Sequence, residues 1–141
     1  MIHLPALTVV TALGLLSCAI GAQQGPEQRL AELRDKLVKE VTEQLRSSDL
    51  PTVAWGAQAV AEFHLEQCVP ELRAKLTSLA MTDAKQREFA VLAILDTMIK
   101  LHVAVPGDKL RPLMHGRCVA PSLVLLGRQV RANRKIGRAH V

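Results

Sequence analysis

Apolar residues recur at helical spacing along most of the chain after residue 25, and this periodicity limits the possible folds more than any other feature. The first stripe consists of Leu30, Leu33, Leu37, Val41 and Leu45, which share one side of a helix. Alternation of apolar and polar residues, the pattern of half-buried strands, is never sustained, and Ala and Leu predominate over Thr and aromatic residues. The sequence therefore predicts an all-α fold.

Five further helices are predicted after this N-terminal amphipathic helix, which we assign to residues 23–49. They cover approximately residues 51–64, 69–79, 84–101, 105–115 and 120–130, and proline, glycine or capping residues lie at their ends. Four small residues in the 51–64 helix allow close approach of a neighbour, namely Ala54, Gly56, Ala57 and Ala61. Trp55, beside Gly56, is expected to be a core anchor.

Part of the sequence repeats with a spacing of 36 residues. The coinciding residues are Ala54 with Ala90, Ala57 with Ala93, Leu65 with Leu101, Val69 with Val105, and Pro70 with Pro106. The segment from Arg87 to Leu95 loosely fits the Arg-x-x-Ala-x-x-Ala-Leu pattern of HEAT repeats, with Ile94 in place of leucine; the first copy lacks the arginine. Residues 50–135 thus resemble a HEAT-type or armadillo-like protein. This resemblance implies an alpha-solenoid of antiparallel helix pairs, with about two repeats and a partial third that begins at Val119.

The N-terminus has the features of an export signal. Residues 4–22 carry no charge, and the run from Leu4 to Leu16 is rich in Leu, Val and Ala. Such a run is typical of a secretory signal peptide and is shorter than a membrane-spanning helix. We predict that residues 1–22 are a signal peptide cleaved after Ala22, and that the protein is exported to the periplasm or the extracellular space. The alternatives are an uncleaved N-terminal anchor and a buried helix.

A lipid anchor is a variant of this prediction. The segment Leu15-Leu16-Ser17-Cys18 resembles a bacterial lipobox, although Leu16 stands where a smaller residue is usual. The resemblance implies that Cys18 would become the lipidated N-terminus and hold the protein at a membrane. The sequence suggests membrane association only in that form.

The last six residues, Ile136-Gly137-Arg138-Ala139-His140-Val141, resemble the translation of a widely used sequencing-library adapter. We interpret residues 136–141 as a non-native tail and expect the natural chain to continue beyond Lys135. The solenoid would then be truncated at its C-terminus. The alternative is a genuine short basic tail.

Charges are distributed unevenly along the chain. Residues 1–108 hold ten Lys or Arg and thirteen Asp or Glu, whereas residues 109–135 hold seven Lys or Arg and no acidic residue. A nucleic-acid-binding face is one interpretation of this basic segment. However, no aromatic residue that could stack on bases lies among its cations, which include Arg117, Arg128, Arg131, Arg134 and Lys135. We therefore expect a solvated basic face and no nucleic-acid partner.

Four residues have the local spacing of a zinc site, as His64-x3-Cys68 and His115-x2-Cys118. In a helical solenoid these two pairs would lie on opposite edges, about 15 Å apart for a ten-residue helix, too far to share one ion. The same separation disfavours a disulfide between Cys68 and Cys118, so both are expected to be buried thiols. No metal site is predicted.

No other pattern in the sequence predicts catalysis. Glu62 and Glu66 are four positions apart but are expected to be solvated carboxylates, and neither a glycine-rich phosphate loop nor a nucleophile elbow is found. No catalytic residue or cofactor is therefore predicted, and we do not expect an enzyme. Two functional classes remain. One is an exported, non-catalytic scaffold that binds an unidentified protein partner; the other is the N-terminal accessory region of a longer exported enzyme whose catalytic part is missing.

Overall fold

The computed structural model describes residues 25–139, of which 83% are helical and none lies in a strand. The helices are α1 (Pro26–Arg46), α2 (Leu50–Glu62), α3 (Val69–Leu79), α4 (Ala84–Lys100), α5 (Gly107–Leu110) and α6 (Val119–Ala139). The all-α prediction is confirmed for this part of the chain, and none of these helices is long and apolar enough to cross a bilayer. The predicted signal peptide, 1–22, its Cys18 and the last two residues of the predicted tail lie outside the described residues.

The chain divides into two units, Met1–Leu37 and Val38–Val141, and the boundary between them lies within α1. In the first unit, residues 25–37, Leu30 and Leu33 are exposed. In the second unit, residues 38–139, Val41 and Leu45 are buried. The predicted apolar stripe therefore belongs to a core only in its C-terminal half.

The start of α2 is fixed by a capping carboxylate. Asp49 Oδ2 accepts hydrogen bonds from the backbone N–H of Thr52 at 3.2 Å and from its hydroxyl at 2.5 Å. Pro51 lies in the first turn, where a missing N–H costs nothing. The sequence between α1 and α2, which contains Ser47, Ser48 and Asp49, thus ends in a capped helix start at Leu50.

Close approach of α1 and α2 occurs at Gly56, as the small residues predict. Gly56 is buried, and a Cβ added there would lie 3.1 Å from Gln44 Cβ. The prediction for Trp55 is wrong: its side chain is 69% exposed. Val53 and Val60 face the core, and the 100° step of a helix places Trp55 on the opposite side.

Helix α4 contacts more of the fold than any other described helix. It packs on α2, α3, α6 and the 3₁₀ turn Gly116–Cys118, and most extensively on α2. Its buried apolar residues are Ala90, Val91, Ile94, Leu95 and Met98. The Thr97 hydroxyl lies 2.8 Å from both Ala57 O and Ala93 O, so a buried polar contact also joins α4 to α2.

Arg87, near the start of α4, is buried and faces only carbonyl oxygens. Its Nη1 lies 2.7–3.2 Å from Leu79 O, Ala80 O and Thr82 O, so its two N–H groups are shared among three acceptors. Its Nη2 donates to Pro112 O at 2.6 Å. The first two carbonyls terminate α3, where the helix dipole favours a cation. Arg87 therefore joins the end of α3, the 80–83 turn and the segment after α5.

Helices α2 and α4 end in the same way, 38 residues apart. His64 and His102 have left-handed backbone angles, with φ of 50° and 55°. The next residue donates its N–H five residues back in each case, Leu65 to Val60 O and Val103 to Met98 O. Six residues follow each helix before the next α-helix begins, 63–68 and 101–106. These ends therefore correspond at a shift of 38 residues rather than the predicted 36, and Leu65 corresponds to Val103 rather than to Leu101.

The last two predicted helices differ in length from the observed ones. Helix α5 ends at Leu110 and gives way to a 3₁₀ turn, Arg111–Leu113, because Pro112 has no N–H with which to extend it. Helix α6 continues nine residues beyond the predicted end at Val130. The added segment consists mostly of Arg, Ala and Lys, which favour helix without forming an apolar stripe.

Candidate functional site

All three aromatic side chains of the chain lie at its surface. The sequence contains one Trp, two Phe and no Tyr, and Trp55, Phe63 and Phe89 are 69%, 50% and 62% exposed. Phenylalanine is ordinarily among the most buried residue types. Aromatic residues that remain exposed are therefore the first candidates for contact with a partner, where such side chains are enriched.

Two of these aromatic residues begin matching stripes on neighbouring helices. On α2, Trp55, Gln58 and Glu62 are three and four positions apart and share one face. On α4, the corresponding stripe contains Phe89, Leu92, Ala93, Asp96 and Lys100. Each stripe starts with an aromatic residue and ends with charged ones.

Two adjoining concavities, which we call together the α2–α4 groove, lie along these stripes and share Gln58 and Asp96. The first, of about 390 Å³, is lined by Gln58, Phe89, Leu92, Ala93, Asp96 and Pro121. The second, of about 400 Å³, is lined by Gln58, Ala61, Glu62, Asp96, Thr97 and Lys100. Pro121 belongs to α6, so three helices contribute to the groove.

The chemistry of the groove changes along its length. Phe89, Leu92 and Pro121 make the first concavity mostly apolar. In the second, Asp96 and Lys100 form an exposed ion pair at 2.9 Å, and Glu62 adds a further carboxylate. The Thr97 contact with Ala57 O fixes the spacing of the two helices beneath it. The groove can therefore hold an apolar side chain at one end and polar groups at the other.

The structure does not bring the four zinc-spaced residues together. Cys68 Sγ lies 3.9 Å from Val38 O and Cys118 Sγ lies 3.6 Å from Glu88 O, so each thiol is buried against a different helix. Both cysteines are free, and within residues 25–139 no three His, Cys, Asp or Glu side chains lie close enough to hold a metal ion.

The remaining candidate acidic and thiol groups are also separate. Glu62 ends α2 and Glu66 begins a 3₁₀ turn, so the two carboxylates do not share a helix face. Both are exposed, in agreement with the expectation that they are solvated. Burial raises the pKa of the Cys118 thiol, and the nearby Glu88 carboxylate raises it further. A thiol with a raised pKa is a poor nucleophile at neutral pH, which argues for a structural role.

The basic segment, residues 109–135, is only partly a solvated face. Arg131, Arg134 and Lys135 are exposed on α6, as expected. Arg128, in contrast, donates to Ile99 O at 2.8 Å near the end of α4, and Arg117 Nε lies 3.8 Å from a Glu88 carboxylate oxygen. Two of the predicted surface cations therefore make contacts within the fold.

The sequence analysis predicts no groove, although one signal for it is present. This signal is the unbroken apolar run from Phe89 to Leu95, which covers almost two helical turns. Such a run surrounds the helix, so some of its side chains must face away from the core.

Comparisons with models of protein families, with curated proteins and with solved structures found no match.

Proposed function

We propose that this chain is an exported, non-catalytic scaffold that binds another protein through the α2–α4 groove, and that its helices are HEAT-type pairs of a solenoid. The exposure of Trp55, Phe63 and Phe89 is the observation that carries the proposal. A helical protein that needed its few aromatic residues for stability would bury them. Here they lie outside the core, two of them on the stripes that border one groove.

The mode of binding follows from the residues of the groove. Phe89 and Pro121 form an apolar wall that can receive an aliphatic or aromatic anchor of the partner. Gln58 supplies both a donor and an acceptor between the two concavities. Glu62 and the Asp96–Lys100 pair form a polar rim of the kind that surrounds the apolar centre of interfaces.

Position-specific crosslinking tests the proposal. A photoreactive phenylalanine analogue would replace Phe89, which lines the groove, or Trp55, which lies on the α2 stripe beside Gln58. Met81 is the control, because it is exposed in the turn before α4 and belongs to neither stripe nor to the groove. In the cells that produce the chain, we expect one protein to be crosslinked from positions 55 and 89 and not from 81.

The crosslinked protein would then be purified and its affinity measured by calorimetry. Phe89→Ser should raise the dissociation constant at least tenfold, the effect of losing about 1.4 kcal/mol. Met81→Ser should leave it unchanged, and both variants should keep the thermal midpoint because both side chains are exposed. Equal crosslinking from position 81, adducts of the chain with itself, or an unchanged affinity of the Phe89 variant would each overturn the proposal.

A further inference from the structure

A separate concavity lies between α3, the segment 104–106, α5 and α6. Its volume is about 340 Å³, near the lower end of the range for small-molecule sites. It shares no lining residue with the α2–α4 groove. A ligand of this site would therefore be small and independent of the proposed protein partner.

The floor of this concavity is apolar. Leu76 from α3 and Val105 from the segment before α5 line the cavity on its core side. They are 2% and 3% exposed, so each contributes a small apolar surface to the floor. Ala104 and Pro106 add apolar surface from the same segment. A short hydrocarbon chain is the group that such a floor receives most favourably.

The rim, in contrast, is cationic. Arg73 on α3 and Lys109 on α5 both line the cavity, and none of the residues that line it is acidic. Arg73 Nη2 donates to Ala104 O at 3.3 Å, which uses one of the five N–H donors of the guanidinium and holds it beside the opening. Thr77 and Gln129 add two uncharged polar groups. Two cations over an apolar floor match a ligand with one anionic end.

We propose that this cavity binds a medium-chain aliphatic carboxylate, with the carboxylate between Arg73 and Lys109 and the chain over Leu76 and Val105. Arginine pairs with carboxylates through two parallel hydrogen bonds, and lysine adds a point charge. Acetate lacks the chain, and octanol lacks the charge. Each should therefore bind far more weakly than octanoate.

Calorimetric titration of the full chain with a series of carboxylates is the primary test. From butanoate to octanoate the affinity should rise about fourfold per methylene, the gain expected for burying one CH₂ group. The gain should stop when the chain outgrows the cavity. Octanoate should bind at least tenfold more tightly than octanol or acetate.

Three variants locate the binding site. Lys109→Gln should weaken octanoate binding about threefold to fivefold, as for the loss of a partly exposed ion pair. Arg111→Gln is the matched control, because it removes an exposed cation two residues away that does not line the cavity. Ala104→Trp should fill the cavity and abolish binding. Residues 104, 109 and 111 are exposed, so unchanged thermal midpoints would show that the fold is kept.

Three results would overturn the proposal. One is an equal loss of affinity in the Lys109 and Arg111 variants, which would indicate general attraction to positive charge. Another is octanoate binding that survives Ala104→Trp. The third comes from vesicles of phosphatidylglycerol: binding to vesicles without any binding of monomeric octanoate would place anion recognition on a lipid-facing surface, such as the exposed basic part of α6, rather than in the cavity.

Discussion

Replacement of Arg87 by methionine should destabilise the protein more than any other single change to a charged residue in α4. Methionine keeps a long, flexible apolar stem but removes every donor that faces Leu79 O, Ala80 O, Thr82 O and Pro112 O. Leu79 O would keep the N–H of Thr82 as a partner. The other three carbonyls would lose the hydrogen bond that Arg87 supplies.

The size of the effect follows from these contacts. A hydrogen bond to a charged group contributes about 1.5–3 kcal/mol to stability, but part of this is offset by the cost of burying the guanidinium. We therefore expect Arg87→Met to lower the free energy of unfolding by about 3–5 kcal/mol, because three carbonyls lose a hydrogen bond at a cost of about 1–3 kcal/mol each. Domains of this size are stable by only about 5–15 kcal/mol, so the variant would lose a large part of its margin.

Urea unfolding followed by circular dichroism measures this loss. Arg87→Lys keeps the charge and one donor group but not the planar fork, and should give an intermediate loss that remains measurable if the methionine variant is unfolded. Lys85→Met is the control, since Lys85 is an exposed cation two residues earlier on the same helix; it should change stability by about 0.5 kcal/mol or less. Because Arg87 faces carbonyls rather than a carboxylate, its effect should not depend on salt. A loss below about 1 kcal/mol, or one that salt removes, would refute the reasoning.

Three further predictions concern the region around Glu88 and the start of α6. Gly116→Ala should cost about 1–2 kcal/mol in urea unfolding, because Gly116 has a φ of 51° and an added Cβ would lie 3.0 Å from Glu88 Oε2; an unchanged midpoint would contradict this. Ser122→Ala should leave stability unchanged or raise it by up to about 1 kcal/mol, because the buried Ser122 hydroxyl has no hydrogen-bond partner in the described structure; a clear loss would reveal a partner. The pKa of the Cys118 thiol is raised in the folded state, so the thiol ionises at lower pH in the unfolded chain than in the folded one. Its contribution to stability is therefore complete below the unfolded pKa of about 8.5 and is lost as pH rises through the higher folded pKa. The fall in stability above pH 8.5 should therefore be smaller in Cys118→Ala, and identical pH profiles would contradict the assignment.

Sequence periodicity predicted the helices wherever one apolar side could be distinguished from a polar one. Val41 and Leu45 in α1 and the small residues at the centre of α2 are in the core, as expected. The limits of α6 were predicted less well, because periodicity reports burial and the segment after Val130 is a helix with little buried surface. Local propensity was the better signal in that segment.

The α2–α4 groove and the contacts of Arg87 could not be predicted, each for its own physical reason. Helix α4 is apolar on all sides from Phe89 to Leu95, so composition alone does not distinguish the face toward the core from the face toward the groove. The carbonyls around Arg87 belong to the backbone, and their convergence depends on the turns after α3 and α5, which no side-chain pattern encodes. Trp55 was misassigned because a large aromatic residue beside a glycine is as compatible with a surface as with a core.

The central position of α4 determines how the second unit should come apart. In the second unit, α2, α3 and α6 all pack on α4, so the loss of α4 removes a packing surface from each of them. Amide hydrogens of α4 should therefore exchange with solvent only through global opening, and those of α2 should follow closely. The far end of α6, where every residue from 130 to 138 is exposed, should exchange by local fraying many orders of magnitude faster.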